Sequence, residues 1–263
     1  MSSFRDAASF LTRVPLHRTA TAGEAVIAPD MSAAVPWFAA VGLLLGLIQG
    51  GVYVGLSEIA TPTVAAAVSA ALLGQITGAF HHDGLADMAD AFGGGWTQEQ
   101  RLEILKDSRL GTYGVTALIF VIMVEIAALS AMSGWLAVAA TAAAHTISRA
   151  TASFMMIIAK PARDSGLGVD YLNGLSRPAV IGVSLVVAAG AVAVFGVIAL
   201  PLIFGAYGAG ALVVRLAIAK IGGISGDVLG AIQQIAKIAV LVIIVIAADV
   251  TTDLGVLGGL VLN

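Results

Sequence analysis

Apolar residues run along this chain in blocks of about twenty, with most polar residues confined to the gaps between them. Blocks of roughly 17–25 apolar residues are what a helix needs to cross a ~30 Å hydrocarbon layer. The pattern predicts spans at 33–56, 59–80, 113–132, 134–159, 178–199 and 200–219, and a last one starting between 227 and 238. Starting after Lys237 leaves only eleven apolar residues before Asp249, whereas 227–248 gives 22 residues if Gln233, Gln234 and Lys237 are submerged as a polar stripe along a wet cavity. Residues 1–18 read differently. Phe4, Ala7, Ala8, Leu11 and Val14 recur at helical spacing while Arg5, Asp6, Ser9 and Arg13 take the other side, which predicts a short helix in the membrane interface until Pro15. The expectation is an all-α, polytopic membrane bundle of about seven transmembrane helices plus short interfacial helices, forming one domain over 1–263.

Composition agrees: 59% of the 263 residues are hydrophobic and 11% charged, outside the range of soluble domains. A net charge of −3 offers no basic face to nucleic acid. The lack of cysteine excludes disulfides, thiolate metal sites and a cysteine nucleophile. Arg5, Arg13, Arg18, Arg101, Lys106, Arg109, Lys160, Arg163, Arg177 and Lys220, ten of the thirteen basic residues, fall on one side of the predicted spans. By the positive-inside rule that side is cytoplasmic. Gly42, Gly46 and Gly50 repeat every four residues, the small-residue spacing that lets two membrane helices approach closely, and Gly51 and Gly55 continue on a neighbouring face.

Where the second predicted span ends stands HHDGLADMADAFGGG, residues 81–95. On a helix, Asp83, Asp87 and Asp90 at i, i+4 and i+7 share an arc of ~60°. Carboxylates ~6 Å apart repel by roughly 3 kcal/mol per pair at an effective dielectric of ~20. Such a stripe is either fully solvated or holds a cation, and magnesium, which takes a few carboxylates with waters and phosphate oxygens, suits the second case. Thr97 and Gln100 form a capping-box pattern that predicts a helix from about 98 to 108. Lys106 and Arg109 then return to the membrane surface as an anion-binding set, with Asp107 orienting one of them or adding to the metal shell; a solvated charged loop accounts for the same residues. Deep in the fourth span lies Arg149, with His145 one turn away and Glu125 placed to pair with His145, as a structural ion pair or as a ligand contact. Asp227 is either a helix N-cap or a further metal or substrate contact.

The block HHDGLADMADAFGGG with RLEILKDSRLGTYG after it resembles the signature of the cobalamin synthase family, the adenosylcobinamide-GDP ribazoletransferases; FLTRVP near residue 10, SRATA at 148, GLG at 166 and GDVLGAIQQ at 226 are similar too. The chain departs from the usual family pattern at His82, where an acid is usual, Ala91, where glycine is, and Lys237, often a glutamate; no role is carried onto these. The resemblance implies a magnesium-dependent transferase of the bacterial cytoplasmic (inner) membrane that joins adenosylcobinamide-GDP to α-ribazole or its 5′-phosphate and releases GMP. It implies an active-site loop at 81–112, with Asp83, Asp87 and Asp90 holding Mg2+, and one of these carboxylates or His81 taking the proton of the attacking hydroxyl. Lys106, Asp107, Arg109, Arg149 and Asp227 are the substrate-binding candidates; the lipid bilayer is a partner, nucleic acid is not, and a homo-oligomer is left open. Two rivals stand beside this reading. A CDP-alcohol phosphotransferase also gathers aspartates near a DG dipeptide, but Asp87 stands where its pattern needs arginine. A solute or ion carrier would use Glu125, Arg149 and Lys237.

Overall fold

The computed structural model describes residues 2–14, 16, 31–162 and 175–253. Pro15, Arg18, Arg163 and the GLG at 166 lie outside them. The elements are α1 (Ser2–Leu11), α2 (Met31–Ala34), α3 (Phe38–Ser57), α4 (Pro62–Thr77), α5 (Phe80–Gly94), α6 (Gln98–Ile104), α7 (Thr112–Ser130), α8 (Gly134–Ile158), α9 (Arg177–Phe195), α10 (Ala199–Ile221) and α11 (Gly226–Asp253). Three-residue 3-10 turns join α2 to α3 and α9 to α10. No strand occurs among the described residues, only one bridge between Pro161 and Ile224. The all-α bundle expected from the pattern is therefore present.

Polarity is inverted relative to a soluble protein. Leu43, Leu44, Leu47, Phe120, Met123, Leu185, Val186, Phe204 and Leu212 face outward, while Gln49, Glu125, His145, Arg149, Gln233, Gln234 and Lys237 are buried. Apolar side chains outside and paired polar groups inside are what hydrocarbon as solvent selects.

Among the described residues four segments are long and apolar enough to cross a membrane, Met31–Ser57, Thr112–Ser130, Arg177–Ile221 and Gly226–Asp249, and a fifth arises if α4 and α5 count as one bent span. Arg177–Ile221 has 45 residues, about 67 Å of helix at ~1.5 Å per residue, enough for two crossings, and it is interrupted at Gly196, whose φ is 56°. The 25-residue α8 has the length to cross but spends its inward face on Thr141, His145, Ser148, Arg149, Thr151 and Ser153. The last helix takes the longer of the two alternatives, starting at Gly226. Its polar stripe does not line an open chamber: Gln233 donates to Ser148 Oγ at 3.0 Å and Lys237 to Glu125 Oε2 at 2.6 Å.

The most consequential departure lies between α4 and α5. Thr61 caps α4 and Pro62 opens it, but Gly78 and Ala79 both adopt positive φ, 61° and 55°, and α5 leaves at 91° to α4. The aspartates therefore do not extend the second span; they ride on a separate helix packed along α7 and α11, whose C-terminal end reaches the rim where α7 starts and α10 ends.

The glycine stripe of α3 does what its spacing predicts. A Cβ on Gly42 would meet the carbonyl of His145, on Gly46 that of Thr141, and on Gly50 the Thr141 hydroxyl, whereas Gly51 and Gly55 have open space beside them. The N-terminal helix α1 ends at Leu11, earlier than expected. It buries Ala7, Ala8 and Leu11 against Val35 and Phe38, with Phe10 stacked on Phe38 and edge-on to Phe80.

Candidate functional site

The rim helix α5 is held from two sides, and the glycines of the signature are what allow it. A Cβ on Gly84 would lie 2.8 Å from the Asp227 carbonyl oxygen, and Gly230 packs on Gly84 and His81, so the backbones of α5 and α11 touch. This contact brings Asp227, in the first turn of α11, beside the turn that carries Asp83 and Asp87. On the α7 side, the Gly111 amide donates to Asp90 Oδ2 at 2.7 Å and the Gly114 amide to Oδ1 at 2.9 Å. Those are orphan donors at the start of α7. Any side chain on Gly111 or Gly114 would collide with this carboxylate.

The three aspartates thus have different fates. Asp83 is exposed, Asp87 is half-buried and Asp90 is buried. Burial and the neighbouring carboxylates of Asp83, Asp227 and Asp90 push the Asp87 carboxyl up to about 6. Asp90 has both oxygens committed to α7. The expected three-carboxylate ion site is accordingly not assembled: among the described residues no group of three or more acidic or imidazole side chains is close enough to hold a metal. Magnesium is usually bound through one or two carboxylates, with waters and phosphate oxygens completing its octahedron. Asp83 and Asp87, one turn apart on α5 with Asp227 beside Asp87, are the carboxylates that would hold such an ion.

His81 lies on the inner side of α5. It is buried, its ring edge-on to Phe80 at 5.2 Å, with Arg149 and Lys237 among the charges it feels. Asp83 and Asp87, not His81, are the side chains open to a ligand at the rim.

The capping box at Thr97 is present, with Gln100 accepting from the Trp96 and Thr97 amides, but α6 is shorter than expected, ending at Ile104. Asp107 orients Arg109, accepting from its Nε at 2.9 Å, and this partnership holds the Asp107 carboxyl below its usual range. Lys106 is exposed. Arg149 is not at the rim: it is buried in α8, its Nη1 3.0 Å from His145 Nδ1 and its Nε without a partner. The expected Glu125–His145 pair is replaced by a bridge: Gln49 donates to Glu125 Oε1 at 2.8 Å and contacts His145 Nε2 through its Oε1 at 2.7 Å, while Lys237 takes the other Glu125 oxygen.

Sequence reasoning missed the clamp on the loop after α5. Arg101 donates to the carbonyls of Gly95, Trp96 and Lys220 at 3.0–3.1 Å, Gln98 to Ile221 at 3.1 Å, and Lys220 Nζ to Phe92 at 3.0 Å. Basic residues in a loop carry no mark of such partners, because the partners are backbone carbonyls, some more than a hundred residues away.

Residues 3–245 match the CobS family, cobalamin-5-phosphate synthase. The chain belongs to that family. It is 40% identical over 251 residues to the adenosylcobinamide-GDP ribazoletransferase of Bradyrhizobium diazoefficiens, covering 92% of this chain and 93% of that one. It is 36% identical over 244 residues to the enzyme of the same name from Escherichia coli, 89% and 95% of the two chains. A Shewanella putrefaciens relative is 34% identical over 255 residues, 94% and 95%. No solved structure matches. The three intramembrane charges that a carrier would use are engaged within the bundle.

Proposed function

We propose that this chain is an adenosylcobinamide-GDP ribazoletransferase, joining α-ribazole or its 5′-phosphate to adenosylcobinamide-GDP and releasing GMP. The observation that carries it is the placement of Asp83 and Asp87 on a helix that bends 91° away from α4 and packs beside Asp227, within the signature shared with the family. In the transfer, a ribazole hydroxyl oxygen forms a bond to the cobinamide-linked phosphorus, the bond from that phosphorus to the bridging oxygen breaks, and GMP leaves with the bridging oxygen. Such a step depends on in-line positioning and charge stabilisation.

Magnesium, held through Asp83 and Asp87, would neutralise the diphosphate oxygens and ease departure of GMP. The hydroxyl proton passes to a carboxylate of this group. Buried His81 is set aside from that task. Lys106 and Arg109, on the segment that follows α6, supply positive charge to the substrate phosphates, with Asp107 fixing Arg109. Arg149 and the buried polar network position α8 and α11 behind the site. The rim carrying α5 and α6 faces the cytoplasm of a bacterial inner membrane, in keeping with ten of thirteen basic residues on that side.

The test is GMP release by detergent-solubilised protein given adenosylcobinamide-GDP and α-ribazole, with and without magnesium. Turnover should require both substrates and the ion, and Asp87→Asn should abolish most of it. Near-normal release by that variant at saturating magnesium removes the carboxylate site from the chemistry.

A further inference from the structure

The segment between α5 and α7 is built more firmly than a connector needs. Arg101 clamps the carbonyls of Gly95 and Trp96 and ties them to the end of α10 through Lys220, while Gln98 makes a second tie to Ile221. Gln100 closes the capping box onto the amides of Trp96 and Thr97. Six side-chain bonds to backbone thus fix the path of the chain at Trp96, yet Trp96 is 88% exposed. It borders a cavity of about 340 Å³ lined by Gly94, Trp96, Gln100, Glu103, Ile104 and Asp107. That volume is at the lower end of small-molecule sites.

The lining selects its ligand. An indole face offers stacking to any flat heteroaromatic ring. Exposed Glu103 adds a carboxylate, an acceptor of two parallel N–H groups. Guanine carries donors at N1 and N2; adenine presents an acceptor at N1 and nothing at C2. An interfacial tryptophan that anchors in lipid has no use for exposed Glu103 beside it, since carboxylates are repelled by anionic headgroups. The cavity is also near the carboxylates: Gly94, at its wall, is seven residues beyond Asp87 on the same helix, about 10 Å along it.

We infer that this cavity is the guanine subsite, with Trp96 stacking on the base and Glu103 accepting from its N1 and N2 donors. The inference rests on the proposed reading that the substrate is GDP-linked, and it assigns nucleotide selectivity to α6 while the transfer itself stays at Asp83 and Asp87.

Purified full-length protein in detergent is titrated with GMP, IMP and AMP, following tryptophan fluorescence, with Trp37 and Trp135 as the only other emitters. GMP should quench most strongly, IMP more weakly for lack of the 2-amino group, and AMP least. The GMP response should vanish in Trp96→Phe. Glu103→Gln should bring the GMP and IMP affinities together, and Trp96→Ala should raise the KM for adenosylcobinamide-GDP by about tenfold or more. Both positions are exposed, and unchanged thermal unfolding of each variant checks that the fold is retained. Equal responses to GMP and AMP, no response to any nucleotide, or an unaltered GMP-to-IMP ratio in Glu103→Gln overturns the subsite. Wild-type protein that turns substrate over while failing these binding tests sinks the subsite alone; selective GMP binding without turnover sinks the proposed reaction instead.

Discussion

Lys237 Nζ lies 2.6 Å from Glu125 Oε2, with both side chains almost wholly buried between α11 and α7. Gln49 supplies the other Glu125 oxygen with a donor. A buried pair of this kind contributes little net stability against an apolar pair, but losing one partner strands a charge at a cost of about 3–5 kcal/mol. Lys237→Met alone should therefore lower the detergent unfolding temperature sharply, and Glu125→Gln alone should do the same by stranding the ammonium. The double variant removes both charges and keeps an acceptor for Gln49, so it should recover most of the loss. A double variant as unstable as the worse single one contradicts the pairing.

What could be read from the chain was what is local. Thr97 and Gln100 are three residues apart and their reciprocal bonds follow from that spacing; Gly42, Gly46 and Gly50 mark a close approach because one turn separates each from the next. The bend at Gly78 and Ala79 was hidden, since hydropathy sums straight through 59–80 and an alanine at positive φ has no signature. Asp90 was placed on the right stripe, yet its partners are amides 21 and 24 residues away. Lys237 and Glu125 are 112 residues apart, and nothing in either neighbourhood names the other. The carboxylates at the rim were thus legible as a group, while the division between those free for a ligand and the one spent on packing was not.

The α3–α8 seam gives a sharp contrast between two glycines. Gly46→Val forces a side chain into the Thr141 backbone, and overpacking of this kind costs about 1–3 kcal/mol or more when backbone must move. Gly51→Ala meets open space and gains helix propensity of up to about 1 kcal/mol. Thermal unfolding in detergent should fall for the first and hold or rise for the second. Equal losses at both positions contradict the seam.

Asp90 closes the start of α7, so its removal is a stability lesion. Asp90→Ala leaves the Gly111 and Gly114 amides without their acceptor and should cost about 1–2 kcal/mol, the scale of a lost N-terminal cap. Asp90→Asn retains one carbonyl acceptor and should lose less. The magnesium concentration for half-maximal GMP release should stay where it is in Asp90→Asn. A large rise would return Asp90 to the ion.

Asp87 sets a pH dependence of definite sign. Its folded-state carboxyl is raised from about 3.8 to about 6 by burial and by Asp83, Asp227 and Asp90. A raised carboxyl binds its proton more tightly in the folded chain than in the unfolded one. The stabilisation from that proton is fully present below the unfolded value and is lost as pH rises through about 6. Without magnesium, the unfolding temperature should therefore climb between pH 7 and pH 5 relative to Asp87→Asn, which carries no such proton. Magnesium competes for the same carboxylate, so its binding should weaken over the same interval, and adding it at pH 7 should raise the unfolding temperature of the wild type more than that of Asp87→Asn. If the wild type and Asp87→Asn run parallel across that range, Asp87 is too well solvated to feel its neighbours, and the carboxylates at the rim are independent surface groups.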